Sequence, residues 1–222
     1  MRDLIILIPA YNEEKSIRNI INKIEKKYDY LVVNDCSTDK TDLYLKNKKF
    51  INNKVRLGYE GTLIRGFQFI KNNYKKKYIL TFDADGQHLI TDIKKIYNLI
   101  KNKKLNLVVG ERLKKNRLIE NIFSFFFFSK FKIHDPFSGF KIYETFYLYK
   151  FINKLSKKLY LVDIILKFKD HSLSVKNIKI TSNFIKNRKA RVGNFFETNF
   201  KIIKIFFCIY FIKNKRKSKA LQ

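Results

Sequence analysis

Apolar residues along this chain follow two alternating spacings. Residues 4–8 (LIILI) are a continuous run of strand length. Ile17, Ile20, Ile21 and Ile24 then repeat at i, i+3, i+4 and i+7, the stripe of a helix. The same succession recurs at residues 30–33 (YLVV), ahead of the polar stretch Asn34–Asp42, and at 78–82 (YILTF), ahead of Ile93, Ile96, Tyr97 and Ile100. A further run at 107–109 (LVV) ends at Gly110. Strands that alternate with helical stripes predict an α/β domain with a mainly parallel central sheet flanked by helices on both faces.

Beyond residue 113 this rhythm fades. Residues 117–132 predict a helix that is apolar almost all round, Phe125 to Phe128 included, which requires deep burial or an apolar partner. Residues 134–140 (HDPFSGF) read as a loop by their Pro and Gly, followed by helical stretches near 144–155 and 161–169 and a strand near 175–180. Residues 200–212 (FKIIKIFFCIYFI) are apolar but interrupted by Lys201 and Lys204, and they fall short of the ~20 residues of a spanning helix. Lys213, Lys215, Arg216, Lys217 and Lys219 follow at once. An apolar segment beside a basic cluster predicts a C-terminal helix lying on an anionic membrane surface. A core helix with a basic end is the alternative. The expected organisation is one catalytic domain over 1–195 and a membrane-associating tail over 196–222.

Composition narrows the picture. With 222 residues, 45% of them hydrophobic, the chain can build one sizeable core. The 48 Lys and Arg against 19 Asp and Glu, a net charge of +29, favour polyanionic partners: nucleic acid, nucleotide phosphates or anionic lipid. The abundance of Lys, Asn, Ile and Phe is also what an AT-rich coding sequence produces. No helix-turn-helix, zinc or aromatic ribonucleoprotein signature accompanies the charge, so a basic nucleic-acid-binding protein is suggested by charge alone and no nucleic-acid partner is expected. Two cysteines make neither a disulfide framework nor a thiolate metal site, and three scattered histidines give no zinc pattern. Residues 1–8 lack a secretory signal, which places the protein in the cytoplasm, peripherally associated with the inner face of the membrane.

In open parallel sheets ligands bind outside the carboxyl ends of the strands. Pro9–Glu13, Asn34–Asp39, Asp83–His88 and Gly110–Arg112 each follow a predicted strand directly, so the topology gathers them at one crevice. Asp83 and Asp85 are two residues apart at a strand end, where an extended backbone points both carboxylates the same way. Two such charges need a cation. Hard oxygen donors suit Mg²⁺ or Mn²⁺, with phosphate oxygens and water filling the remaining positions. The plainer reading is an Asp-rich turn that caps the next helix.

Six stretches, IPAYNEE (8–14), VVNDCSTD (32–39), LGYEGTLIRGF (57–67), LTFDADGQH (80–88), VVGER (108–112) and DPFSGFKIY (135–143), stand in an order and spacing that resembles family 2 glycosyltransferases. The likeness is strongest to the polyprenyl-phosphate (dolichol-phosphate) sugar synthases. It implies a single GT-A-like, Rossmann-related domain that moves a sugar, with inversion, from a UDP- or GDP-sugar donor to a polyprenyl phosphate or other membrane lipid. By the same resemblance Pro9, Ala10, Tyr11 and Glu13 line the nucleotide pocket and Asp35 approaches the base or ribose. Asp83, Ala84, Asp85 and Gln87 meet the diphosphate, with Asp83, Asp85 and Gln87 holding Mg²⁺ or Mn²⁺. Arg112 and Arg117 match positive positions near the donor phosphates or the acceptor, and Arg188 or Arg191 matches a late arginine that closes on the donor. Asp85, Arg112, Arg117 and Asp135 form the candidate catalytic set. Asn34 stands where the family usually has a first Asp, Cys36 for a common Gly, Phe137 for a frequent Gln and Lys179 for a common Pro. A lipid phosphate is already anionic near neutral pH and needs no strong base. A hydroxyl acceptor on a lipopolysaccharide or other glycan would need one, with Asp135 or Asp163 as candidates. A catalytically silent sugar-nucleotide binder is the third reading.

Overall fold

A computed structural model describes residues 1–113, 118–155, 159, 162–181, 200 and 202–205. In chain order these form β1 (Leu4–Ala10), α1 (Ile17–Ile24), β2 (Asp29–Asn34), α2 (Thr41–Leu45), β3 (Phe50–Asn52), α3 (Gly58–Asn73), β4 (Tyr78–Thr81) and α4 (Thr91–Asn102). There follow β5 (Leu107–Arg112), α5 (Leu118–Phe131), β6 (Lys141–Glu144), α6 (Thr145–Phe151), a 3-10 turn (Ile152–Lys154), α7 (Val162–Asp170) and β7 (Val175–Ile180).

The strands make one sheet in the order β3-β2-β1-β4-β6-β5-β7. Pairing is parallel except on either side of β6, which runs antiparallel to both β4 and β5. This is the mainly parallel α/β sheet that the apolar pattern predicts. The all-apolar β1 is buried on both faces by simple alternation: Ile5 and Leu7 point to one side, Leu4, Ile6 and Ile8 to the other. The first side is covered by Leu63, Phe67 and Ile70 of α3, Phe123 and Phe127 of α5, Leu148 of α6 and Ile164 of α7. The second is covered by the α1 stripe, Ile17, Ile20, Ile21 and Ile24, and by Ile93, Ile96 and Ile100 of α4.

Three elements depart from the pattern reading. β6 falls between a loop read over 134–140 and a helix read from near 144, α3 carries a stripe (Leu63, Phe67, Ile70) that glycines interrupt, and β3 is only three residues long. In α3 the glycines are the reason. A Cβ on Gly66 would collide with Leu7 and Val33, so the helix lies against the sheet at a distance only glycine permits.

α5 meets both demands of its composition. Phe123 and Phe127 are buried in the core, whereas Phe125 is 78% and Ile122 64% exposed. The described turn of the tail, residues 202–205, is helical and sets Ile202 and Ile205 into the same core. Apart from Phe200, the rest of the tail, the basic cluster at 213–219 included, lies outside the described residues, as do Arg117, Arg188 and Arg191. Among the described residues no helix is long and apolar enough to cross a membrane.

Candidate active site

The site opens where β1 and β4 part. The Leu7 carbonyl accepts the amide of Phe82 at 2.9 Å, the last rung between these strands. Two residues on, Pro9 faces the same side with no N–H to offer, at a point where β4 has already ended. The resulting gap receives the loops that follow β1, β2, β4 and β5, and also the 135–140 loop, because antiparallel β6 begins at this same edge. Topology therefore gathers the four predicted clusters and adds a fifth.

The loops after β1 and β2 are stitched to each other. The Asn12 and Thr38 side chains and amides exchange hydrogen bonds, the Glu13 amide donates to Thr41 Oγ1 at 2.7 Å, and the Glu14 amide donates to Asp39 at 3.1 Å. Asn34 accepts from the Ser37 amide and hydroxyl, so it serves this loop. Cys36 has a φ of +58°, in the left-handed region, which accounts for the glycine more usual there. Tyr11 lies under Arg56, whose guanidinium carbon is 3.9 Å from the ring centroid.

Asp35 is turned inward. It is 3% exposed, and its carboxylate accepts from Asn53 Nδ2 at 2.6 Å and from the amides of Leu57 and Gly58 at 2.8 and 2.9 Å. An anion there satisfies the orphan amides at the start of α3 and complements its dipole. Its visible task is to seat that helix; a contact with base or ribose remains a proposal.

The residues after β4 do not continue as a strand. β4 ends at Thr81, residues 84–86 form a turn, and Gly86 has a φ of +80°. Strand alternation therefore does not aim the two carboxylates, which corrects the expectation for Asp83 and Asp85; local hydrogen bonds aim them instead. Asp85 Oδ1 accepts the Gln87 amide at 2.9 Å. Asp83 Oδ1 accepts the Tyr59 hydroxyl at 2.9 Å, and Oδ2 lies 3.0 Å from His88 Nε2. Burial pushes the Asp83 carboxyl up, but the His88 and Tyr59 hydrogen bonds and the nearby Arg112 outweigh it and hold the group below the usual carboxylate value. The buried Ala84 lends its carbonyl to the Ser16 hydroxyl at 2.6 Å, tying this turn to α1.

Two carboxylates with the neighbouring Gln87 amide oxygen are the hard donor set that Mg²⁺ and Mn²⁺ prefer. Room for them is built in: a Cβ on Gly139 would overlap the Asp83 carboxylate, so the 135–140 loop can cross Asp83 only as glycine. That loop is pinned by Thr81 Oγ1, which donates to the Gly139 carbonyl at 2.6 Å. Among the described residues no group of three His, Cys, Asp or Glu side chains encloses an ion, so a cation here would complete its shell with phosphate oxygens and water.

Arg112 and Asp135 form a buried fork. Arg112 Nε and Nη2 donate to the two Asp135 oxygens at 2.8 and 3.0 Å, the Arg112 amide adds a third bond at 3.1 Å, and Nη2 also reaches Glu120 at 3.4 Å. Burial alone would lower the guanidinium pKa, but Asp135 and then Glu120 raise it, so Arg112 is charged at any pH the fold survives. Asp135 is wholly buried with both oxygens on Arg112. Its visible task is to orient an arginine; a catalytic role for Asp135 is left to the variant test in the Discussion. Asp163, in the first turn of α7, is also buried. Behind the fork, Lys141 bonds the Ser138 carbonyl, and burial lowers its ammonium to about 8 although Asp135 and Asp83 pull it back up.

The model of Glycosyl transferase family 2 matches residues 5–124, more than half of the chain. The chain belongs to this family. Individual relatives match over different lengths. An uncharacterized protein of Methanocaldococcus jannaschii is 28% identical over 219 residues, covering 90% of this chain and 89% of that one. A UDP-N-acetylglucosamine–dolichyl-phosphate N-acetylglucosaminyltransferase of Methanococcus voltae is 32% identical over 140 residues, 53% of this chain and 55% of that protein. The family 2 chain thus spans little more than half of the relative whose activity is named. Among solved structures, glucosyl-3-phosphoglycerate synthase of Mycobacterium tuberculosis, in complex with Mn²⁺ and uridine-diphosphate-glucose, superposes with a TM-score of 0.71 at 16% identity, covering 92% of this chain and 77% of that one. At that identity the likeness is one of fold, and the fold is GT-A-like.

Several site residues were not singled out, although all but Ser16 stand within the six motif stretches. Tyr59 and Ser16 act through hydroxyls that no spacing announces. Gly139 carried a signal, a glycine beside a strand, but read only as a turn. Lys141 is a charge in a short strand, which disguised both the strand and the buried position.

Proposed function

We propose that this family 2 protein transfers a sugar with inversion from a UDP- or GDP-sugar to a polyprenyl phosphate at a membrane surface, aided by Mg²⁺ or Mn²⁺. The observation that carries this reading is the clamped carboxylate Asp83, near the permanently charged Arg112 and two residues from the hydrogen-bonded Asp85, at the carboxyl edge of the sheet. A divalent cation held by Asp83, Asp85 and Gln87 would offset charge developing on the departing nucleoside diphosphate. Arg112, locked by Asp135, adds a fixed positive charge that needs no reorganisation during reaction. Pro9, Ala10, Tyr11 and Glu13 border the gap where the nucleoside would lie.

Two observations favour the lipid phosphate over a hydroxyl acceptor. Both carboxylates offered as general base, Asp135 and Asp163, are buried, and Asp135 is spent on Arg112, which suits an attacker that is already anionic. On the outer side, Ile122 and Phe125 of α5 are exposed, with Lys130 in its last turn and Lys132 just beyond it also exposed. Apolar side chains flanked by lysines suit peripheral contact with anionic lipid. The dolichyl-phosphate acceptor in the name of the Methanococcus voltae relative points the same way.

With Mn²⁺ or Mg²⁺ present, labelled sugar from one of the UDP- or GDP-sugars should pass into the organic phase with polyprenyl phosphate. EDTA should stop the transfer. Efficient transfer to a soluble saccharide and none to the lipid would refute the acceptor assignment. Gly139→Ala supplies a second check. Its methyl group would displace Asp83, and the rate at subsaturating Mn²⁺ should fall about 10- to 100-fold, the usual effect of disturbing a ligand's support. Overpacking should cost about 1–3 kcal/mol of stability, read as a shift in the urea midpoint. An unchanged rate would mean that Asp83 is not a ligand.

A further inference from the structure

The groups that hold Asp83 come from outside the metal motif's two carboxylates, and one comes from a different element altogether. Tyr59 stands in the first turn of α3 and donates its hydroxyl to Asp83 Oδ1 at 2.9 Å, while His88 Nε2 meets Oδ2 at 3.0 Å. Against an ionised carboxylate both partners donate. One lone pair on each oxygen is therefore taken, which fixes the rotation of the carboxylate plane and the direction of the lone pairs that remain.

Tyr59 is itself held in place. Its ring packs against the core, and the phenol is raised well above its ordinary pKa, by burial first and then by the charge of Asp83, so it stays protonated. The two residues before it, Leu57 and Gly58, give their amides to Asp35 at the end of β2, and Gly58 takes a φ of +73° to make the entry into the helix. One short run of backbone, 57–59, thus joins the end of β2 to the end of β4.

We propose that Tyr59 is a positioning residue for the metal-binding carboxylate, and that Asp35 sets Tyr59 by anchoring the start of α3. The inference rests on the reading of Asp83 as a metal ligand given under Proposed function. Hydrogen-bond partners of ligating groups typically contribute 10- to 100-fold to metal affinity. Tyr59→Phe deletes one hydroxyl and keeps the ring in the core. Asp35→Asn keeps the size but presents an amide to three donors.

The test is Mn²⁺ titration of the full chain, without nucleotide, followed by the electron paramagnetic resonance signal of free Mn²⁺. Wild type, Asp83→Asn, Tyr59→Phe and Asp35→Asn are compared. Tyr59→Phe should bind Mn²⁺ about tenfold more weakly, with an unchanged circular dichroism spectrum, and its turnover should recover at high Mn²⁺. Asp35→Asn should weaken Mn²⁺ binding in the same direction although it touches no ligand, and the double variant should lose less than the two single losses together. Wild-type affinity in Tyr59→Phe, beside a weakened Asp83→Asn, overturns the Tyr59 assignment alone. Normal Mn²⁺ binding by Asp35→Asn overturns the link to β2. Asp83→Asn binding as tightly as wild type, or a wild type that binds no Mn²⁺, overturns the metal reading beneath both.

Discussion

Asp85→Asn should lower turnover about a thousandfold or more while leaving the protein folded. The substitution is nearly isosteric, and the Asn Oδ1 can still accept the Gln87 amide that Asp85 Oδ1 accepts at 2.9 Å, so the turn around Gly86 keeps its closing bond. What disappears is one negative charge at the proposed cation. A catalytic ion contributes several kcal/mol through leaving-group charge, and each 1.36 kcal/mol is tenfold in rate, so loss of about 4 kcal/mol gives that factor. Melting should move by no more than about 2 °C, since the change lies on a partly exposed turn away from the core. Initial rates with saturating donor and lipid acceptor, measured beside a thermal melt, decide the matter. Full activity in this variant would reject the metal assignment.

The second large effect is one of stability. Asp135→Ala removes the carboxylate that accepts three hydrogen bonds from Arg112 and leaves that guanidinium in a mostly buried site, with Glu120 at 3.4 Å and the charge of Asp83 as weaker compensation. Breaking one side of a buried pair typically costs about 3–5 kcal/mol, because the surviving charge loses its partner but stays out of water. For a chain of this size that is a fall in melting temperature of roughly 6–20 °C. Replacing both partners, Arg112→Met with Asp135→Leu, should recover a good part of the loss. A general base would behave differently. If Asp135→Ala destroyed activity with an unchanged melt, Asp135 would act on substrate and the hydroxyl-acceptor reading would regain its candidate.

How much of this could be read in advance depends on residue type. β1, α1 and α4 were plain because their apolar residues repeat at one period and nothing interrupts them. α3 was hidden because Gly61 and Gly66 stand where a helical stripe would carry side chains, and those glycines exist for close contact: with the preceding turn at Leu57 and with the sheet at Leu7 and Val33. β6 was hidden because strand Lys141-Ile142-Tyr143-Glu144 is short and charged at both ends, and its burial comes from neighbours far away in sequence. At the site, backbone topology brought the Asp83, Asp35 and Arg112 clusters together as the strand ends implied. The direction of each side chain was not legible. Whether a carboxylate faces inward, as Asp35 and Asp135 do, or stands at the crevice, as Asp83 and Asp85 do, is settled by partners such as Gly58, Arg112 and Tyr59, and no local pattern encodes those pairings.

The late arrival of β6 at the middle of the sheet bears on synthesis of the chain at the ribosome. β4 leaves the ribosome with β1 to pair on one side and an unmatched edge on the other, since the strand that fills it begins at Lys141. Roughly sixty residues separate Thr81 from Lys141, about 3–12 s at ordinary elongation rates, during which the β4 edge and later the β5 edge are open to foreign strands. A nascent chain stalled at residue 124, where the family match ends, would hold both edges bare. The gap in the middle of the sheet is therefore closed during translation by a four-residue segment, before β7 joins the far edge of β5, and chaperone contact is most needed before that segment emerges.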